Sequence, residues 1–88
     1  MKKVKLDDGF TVSVEEDVMD DMELLDDLVK VDEGDGYAIS RIVERILGGE
    51  EKKKLYEHLR NEKGKIPITV VVAAIRELFE KLGDKGKN

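Results

Sequence analysis

The chain lacks several residues on which protein chemistry often depends. It has no cysteine, which excludes disulfide bonds, thiolate metal sites and cysteine nucleophiles. It has no tryptophan and a single histidine, His58, so tryptophan cages and histidine-rich metal sites are excluded too. Its longest apolar stretch, residues 70–75, is far shorter than the roughly 20 residues that span a bilayer. Asp7 and Asp8 interrupt any apolar segment of a signal peptide. We therefore expect a cytoplasmic protein.

Charge is what the chain has in excess, and it is unevenly distributed. Charged residues make up 42% of the 88 residues, against about 25% in a typical soluble protein. Residues 1–36 carry a formal charge of −9, and residues 37–88 carry +4. A solvated acidic surface would explain this pattern. This is the favoured explanation, since charge runs are usually solvent faces; association of the acidic and basic halves, or binding of a basic partner, is the alternative.

The first 14 residues predict a β-hairpin. Two short runs in which apolar and polar residues alternate flank the turn sequence Asp7-Asp8-Gly9. A three-residue loop would pair Leu6 with Phe10 and Val4 with Val12, which places every apolar side chain on one face. A two-residue loop would mix apolar with polar residues, so we predict the three-residue loop with Gly9 in a left-handed conformation.

A first helix is predicted over about residues 17–31, with Ser13 and Asp17 as competing N-caps. Its apolar stripe follows the spacing i, i+4, i+7, i+11 and is widened by further apolar residues: Val18, Met22, Leu25 and Val29, then Leu24, Leu28 and Val31. The acids that alternate with this stripe are expected to form an exposed ridge: Glu16, Asp20, Glu23 and Asp27.

Three more helices are predicted. One covers about residues 37–47 and ends at Gly48-Gly49, and the next covers about 50–61. The last begins at Pro67 and ends at Gly83, with Val71, Ile75, Leu78 and Leu82 as its apolar stripe. The fold class is therefore α+β, mostly α, with an N-terminal hairpin and about four helices. We expect a single domain over residues 1–83 and a flexible tail over 84–88.

No pattern of catalytic or metal-binding residues is present in the sequence. A calcium loop starting at Glu33 would have Tyr37 and Ala38 where a ligand and a glycine are required. His58 has no obvious nucleophile as its partner, and the glycine pairs match no phosphate-binding loop. The sequence therefore predicts no enzyme, no cofactor and no metal.

Five segments of the chain together carry a resemblance to a known family: Met22-Glu23-Leu24-Leu25, Val31-Asp32-Glu33-Gly34, residues 46–60, Gly64-Lys65-Ile66-Pro67 and residues 75–79. Over roughly residues 10–82 the chain resembles the small tail assembly chaperones of long-tailed bacteriophages. This resemblance implies a non-enzymatic protein in the cytoplasm of a bacterial host. Proteins of this family are thought to bind the tape measure protein and to recruit tail tube proteins during tail assembly.

A second function stays open, because basic residues cluster between Arg41 and Lys65 on successive short helices. A small phage regulator that binds nucleic acid, or mimics its charge, would fit this cluster. The acidic pI of about 4.9 opposes nucleic-acid binding.

Five residues are predicted to bind a partner protein. Asp20, Glu23 and Asp27 are expected to face solvent and to attract a basic stretch of a tail protein. Tyr37 and Tyr56 are expected to anchor it, since tyrosine is enriched at binding hot spots. The alternative is that the acids only keep the protein soluble and that the tyrosines cover the core. Homo-oligomers are also expected, from the opposite charges of the two halves and from Met19, Ile68 and Val70.

Overall fold

A computed structural model describes residues 1–84, and in it a two-stranded hairpin precedes three helices. The elements are β1 (Lys2–Lys5), β2 (Thr11–Val14), α1 (Met22–Asp32), α2 (Ala38–Leu59) and α3 (Ile68–Asp84). The predicted fold class, α+β and mostly α, is confirmed. The predicted tail is helical at its first residue, and its other residues, 85–88, lie outside the described residues. No helix of the described residues is long and apolar enough to cross a membrane.

The hairpin has the predicted three-residue loop. Val4 lies opposite Val12 in the antiparallel pair, and the Leu6 N–H donates to the Phe10 carbonyl at 2.8 Å. Gly9 has a φ of 95°, a conformation that side chains with a Cβ rarely adopt. One face of the hairpin is buried, and it carries Val4, Leu6, Val12 and Val14. The alternation of the sequence therefore predicted both the register and the buried face.

Helix α1 begins later than predicted. The strand β2 continues to Val14, so Ser13 lies in the sheet, and residues 16–19 form isolated turns. The N-cap is Asp21, whose side chain accepts hydrogen bonds from the backbone N–H groups of Glu23 and Leu24. The predicted N-caps Ser13 and Asp17 are therefore wrong, because both residues lie before the start of α1 and Asp21 accepts from two of its free N–H groups.

Helix α2 joins the second and third predicted helices into one element. It consists of two helical segments that meet at Gly48, where φ is 71° and ψ is −176°, so the chain leaves the helical conformation at the predicted point, without a loop between the segments. This backbone conformation is essentially restricted to glycine. The two predicted helices are therefore present as the two segments of α2, and residues 1–84 contain three helical elements rather than four.

Helix α3 begins at Ile68, one residue after the predicted start, and the Pro67 carbonyl accepts from the N–H groups of Val70 and Val71. Its predicted stripe is buried in full. The buried face of the hairpin packs with α2 and α3 in one hydrophobic core, to which α1 contributes a single buried apolar residue, Leu24. The helix α1 therefore lies at the edge of the core, on α2.

Candidate protein-binding surfaces

Asp27 lies on the buried side of α1 and not on an exposed ridge. Only 5% of its surface is accessible. Arg41 Nε donates to Asp27 Oδ1 at 3.0 Å, and Arg45 Nε donates to Asp27 Oδ2 at 3.2 Å. The prediction that Asp27 faces solvent is therefore wrong. Asp27 can be buried because two arginines one helical turn apart on α2 donate hydrogen bonds to both of its carboxylate oxygens.

These contacts extend into a network of ion pairs between α1 and α2. Arg45 also lies 3.6 Å from Asp21 and 3.4 Å from Glu23, and Arg41 lies 3.5 Å from Asp35. The hydrogen bond from Arg41 keeps the pKa of Asp27 below its ordinary value, although burial opposes this, and the bond from Arg45 adds to the effect. Part of the acidic half is thus neutralised by the basic half within one chain.

The three predicted acids do not form one surface. Glu23 is exposed, but its carboxylate lies within an ion pair with Arg45. Asp20 is exposed and lines a shallow depression with Met19, Met22 and Leu25. Of the three acids, only Asp20 therefore faces solvent without an ion pair among the described residues.

Part of the solvent-facing side of α1 is apolar. Met22, Leu25 and Val29 have exposed fractions of 67%, 50% and 48%, and their spacing of i, i+3, i+7 places them on one side of the helix. We call these three residues the α1 outer face. They were predicted to be the buried stripe, which is wrong. The buried or half-buried side of α1 is instead formed by Leu24, Leu28 and Val31, the residues that were expected only to widen the stripe.

Tyr37 and Tyr56 lie on the same groove, although they are far apart in sequence. We call it the tyrosine groove; it is lined by Gly36, Tyr37, Ile39, Ser40, Tyr56, Ile66, Ile68 and Val71. Tyr37 is 86% exposed and Ile68 is 75% exposed, whereas Tyr56 is half-buried. The tyrosines that were predicted as anchors are therefore brought together with an exposed isoleucine.

The position of Tyr37 is fixed by its local backbone. The side chain of Asp35 accepts a hydrogen bond from the Tyr37 N–H at 3.1 Å, which closes a turn directly before α2. Gly34 in the same loop has a φ of 99°. This short, well-defined turn presents the tyrosine ring at the first turn of α2.

A second groove adjoins the tyrosine groove and shares Ile39 with it. It is lined by residues of all three helices, among them Leu28, Val72 and Phe79. The two grooves enclose about 240 and 250 Å³ and are open to solvent. Pockets for small ligands usually enclose about 300–1,000 Å³ and bury most of the ligand. The shape is better suited to side chains of a protein partner than to a small molecule.

His58 is held at the edge of the hairpin. Its Nε2 lies 2.7 Å from Asp8 Oδ2, and its ring stacks on Phe10 at a centroid distance of 4.2 Å. The hydrogen bond with His58 lowers the pKa of Asp8, and a bond from the Phe10 N–H lowers it further. Within residues 1–84 no cluster of three or more histidine or acidic side chains is arranged to hold a metal ion. The contacts of His58 therefore attach α2 to the hairpin loop.

Comparison with models of known protein families, with curated proteins and with solved structures finds no match for this chain.

Sequence reasoning missed the α1 outer face. The signal was present, because α1 carries two overlapping apolar stripes, and only one of them can face the core. Arg41 and Arg45, one turn apart, were a second signal, since such a pair on the neighbouring helix can hold a carboxylate that points inward.

Proposed function

We propose that this protein is a non-enzymatic phage tail assembly chaperone that binds tape measure and tail tube proteins in the cytoplasm of a bacterial host. Two things support the proposal. One is the resemblance of residues 10–82 to that family. The other, and the observation that carries most weight, is the tyrosine groove with its exposed Tyr37 and Ile68.

The tyrosine groove has the chemistry of a site for an apolar protein segment. A tyrosine ring that is 86% exposed contributes little to the core, but it can bury a large apolar area against a partner. Its hydroxyl can remain in contact with water at the rim. Ile39, Ile66 and Val71 form the apolar floor beneath it. Tape measure proteins are long and helical in the family that the chain resembles, and an apolar helix face binds to grooves of this kind.

The test is binding of purified tape measure fragments, measured by calorimetry with wild-type protein and three variants. Tyr37→Ala and Ile68→Ser remove exposed residues of the groove. Val70→Ser is the matched control, because Val70 is also an exposed apolar residue of α3 but does not line the groove. We expect each groove variant to weaken binding about tenfold or more, as is typical of hot-spot residues, and Val70→Ser to bind as the wild type does.

Other outcomes would contradict the proposal. If wild-type protein binds neither tape measure nor tail tube fragments, the chaperone function fails. If it binds, but the groove variants bind equally well, the tyrosine groove is not the site. Salt-dependent binding of duplex DNA would instead support the regulatory alternative.

A further inference from the structure

Helix α1 carries two neighbouring apolar stripes, and within the described residues one of them packs on the core while the other faces solvent. Its inner side packs on the core through Leu24, Leu28 and Val31. Its α1 outer face, Met22, Leu25 and Val29, is about half exposed or more. The contacts of α1 within residues 1–84 thus account for its inner side and leave the α1 outer face uncovered.

Carboxylates surround the α1 outer face. Asp26 lies one turn from both Met22 and Val29, and Asp20 and Asp32 lie near the two ends of α1. All three acids are exposed, and none of them has an ion-pair partner within residues 1–84. The helix contains one base, Lys30. A partner that covers this face therefore meets apolar side chains with negative charges around them.

Pairing of two copies of the chain through their α1 outer faces is unfavourable. Pairing of two α1 outer faces would bring Asp26 and its neighbouring acids close to their counterparts, and such like-charge contacts are destabilising. The basic segment at residues 52–54 offers no exposed apolar side chain, since the adjacent Leu55 is buried. That segment could therefore meet the acids around the α1 outer face, but it has no apolar side chain to cover the face itself.

We propose that the α1 outer face binds an amphipathic helix of another protein, in which lysine or arginine flanks an apolar ridge. The i, i+3, i+7 spacing gives an apolar row about 10 Å long, which matches two turns of a partner helix. The flanking bases of that helix would meet Asp20, Asp26 and Asp32. This surface shares no residue with the tyrosine groove, so the inference does not depend on the proposed function.

The probe is a synthetic 21-residue helical peptide with leucine at positions a and d of three heptads and lysine at the others. A peptide with the same leucines and glutamate in place of lysine is the charge control. Binding to ¹⁵N-labelled protein is followed by NMR at low salt. We expect the lysine peptide to bind, with chemical-shift changes concentrated in residues 19–33. The glutamate peptide should bind at least about tenfold more weakly, because like charges would meet.

Variants locate the binding site. Leu25→Ser with Val29→Ser should weaken binding of the lysine peptide about tenfold or more, because most of the apolar contact is lost. Asp26→Lys keeps the apolar row and tests the charge alone; it should weaken binding several-fold and reduce the salt dependence. Val70→Ser and Tyr37→Ala are matched controls on other surfaces and should bind as the wild type does. Circular dichroism checks that every variant is folded.

Four results would overturn the proposal. The first is no binding of the lysine peptide to wild-type protein. The second is equal binding of both peptides, and the third is undiminished binding to the Leu25→Ser, Val29→Ser double variant. The fourth is a wild-type dimer in sedimentation experiments that the double variant dissociates, since a second copy would then be the occupant. Loss of tape measure binding in Tyr37→Ala tests the proposed function separately.

Discussion

A carboxylate that is buried beside a hydrophobic core is stable only when charged or hydrogen-bonding partners reach it, and Asp27 has two. Arg41 and Arg45 keep about half and one third of their side chains exposed, so water still solvates these cations while they bind Asp27. The arrangement places Leu24 and Leu28 of α1 on α2. It also leaves the α1 outer face toward solvent.

Asp27→Asn tests whether this carboxylate orients α1. The amide cannot accept two charge-assisted hydrogen bonds from arginine, and both guanidinium groups lose their closest anion. We expect a clear decrease in the urea midpoint of unfolding at pH 7. Asp26→Asn is the matched control, since Asp26 is the neighbouring, exposed aspartate, and its midpoint should hardly change. Equal midpoints for the two variants would show that the Asp27 ion pairs do not stabilise the fold.

Among the elements, the hairpin and α3 could be predicted because each carries one unambiguous apolar pattern. The alternation in β1 and β2 allows one register that buries every apolar residue. Helix α3 has a single apolar stripe, so only one of its sides can face the core. The ends of α1 and α3 were off by one to several residues, since the caps depend on which backbone N–H groups a side chain or carbonyl can reach.

The orientation of α1 could not be predicted from periodicity. Both of its apolar stripes fit a 3.6-residue period, and the i, i+4, i+7, i+11 spacing that was used to choose between them selected the wrong one. The correct choice depended on Arg41 and Arg45 of another helix, which is a tertiary contact. For the same reason two of the predicted acids were placed in ion pairs. A straight helix would separate Tyr37 from Tyr56 by about 28 Å, so their meeting at one groove depended on the break in α2 at Gly48.

The break in α2 gives a prediction for that element. Gly48 has a φ of 71° with an extended ψ, and alanine in this region is strained by about 1–3 kcal/mol. A Cβ at Gly48 would touch nothing within 4 Å, so the expected loss of stability comes from the backbone alone. We expect Gly48→Ala to lower the free energy of unfolding by about that amount in urea melts.

The matched control is Gly49→Ala, the next residue. Gly49 does not have a positive φ, and a Cβ there also meets nothing within 4 Å. Because alanine is a better helix former than glycine, this change should be neutral or stabilise the protein by up to about 1 kcal/mol. If the two variants had the same free energy of unfolding, the positive φ at Gly48 would not be required for the stability of α2.

In the molecule as a whole, acids are repeatedly placed beside donors from a distant part of the chain. Asp27 binds α2, Asp8 binds His58, and the Glu51 carboxylate accepts from the Ser13 N–H at 2.7 Å. The −9 and +4 halves therefore offset each other partly within one molecule. This removes some of the electrostatic reason for homo-oligomers, which stay a prediction.

These contacts predict how the stability of the protein depends on pH. The pKa values of Asp8, Asp27 and Glu51 are all lowered: by the bond with His58, by the bond from Arg41, and by the Ser13 N–H, respectively. In the unfolded chain the aspartates titrate near 3.8 and the glutamate near 4.5. Just below these values the unfolded state binds more protons than the native state, so stability rises with pH there. The contribution is complete above the unfolded values, and it is lost as pH falls through the lower native ones.

We therefore expect the urea midpoint to decrease between about pH 5 and pH 3. Repulsion among the 16 lysines and arginines acts in the same direction once the carboxylates are protonated, so the melts are compared at low and high salt, which screens that repulsion. The decrease of the urea midpoint that is still seen at high salt comes from the local contacts of the three carboxylates. Asp27→Asn lacks one of the shifted groups and should lose less stability over this range than the wild type does. A wild-type midpoint that stays constant from pH 5 to pH 3 at high salt would contradict the prediction, because the native and unfolded carboxylates would then titrate alike.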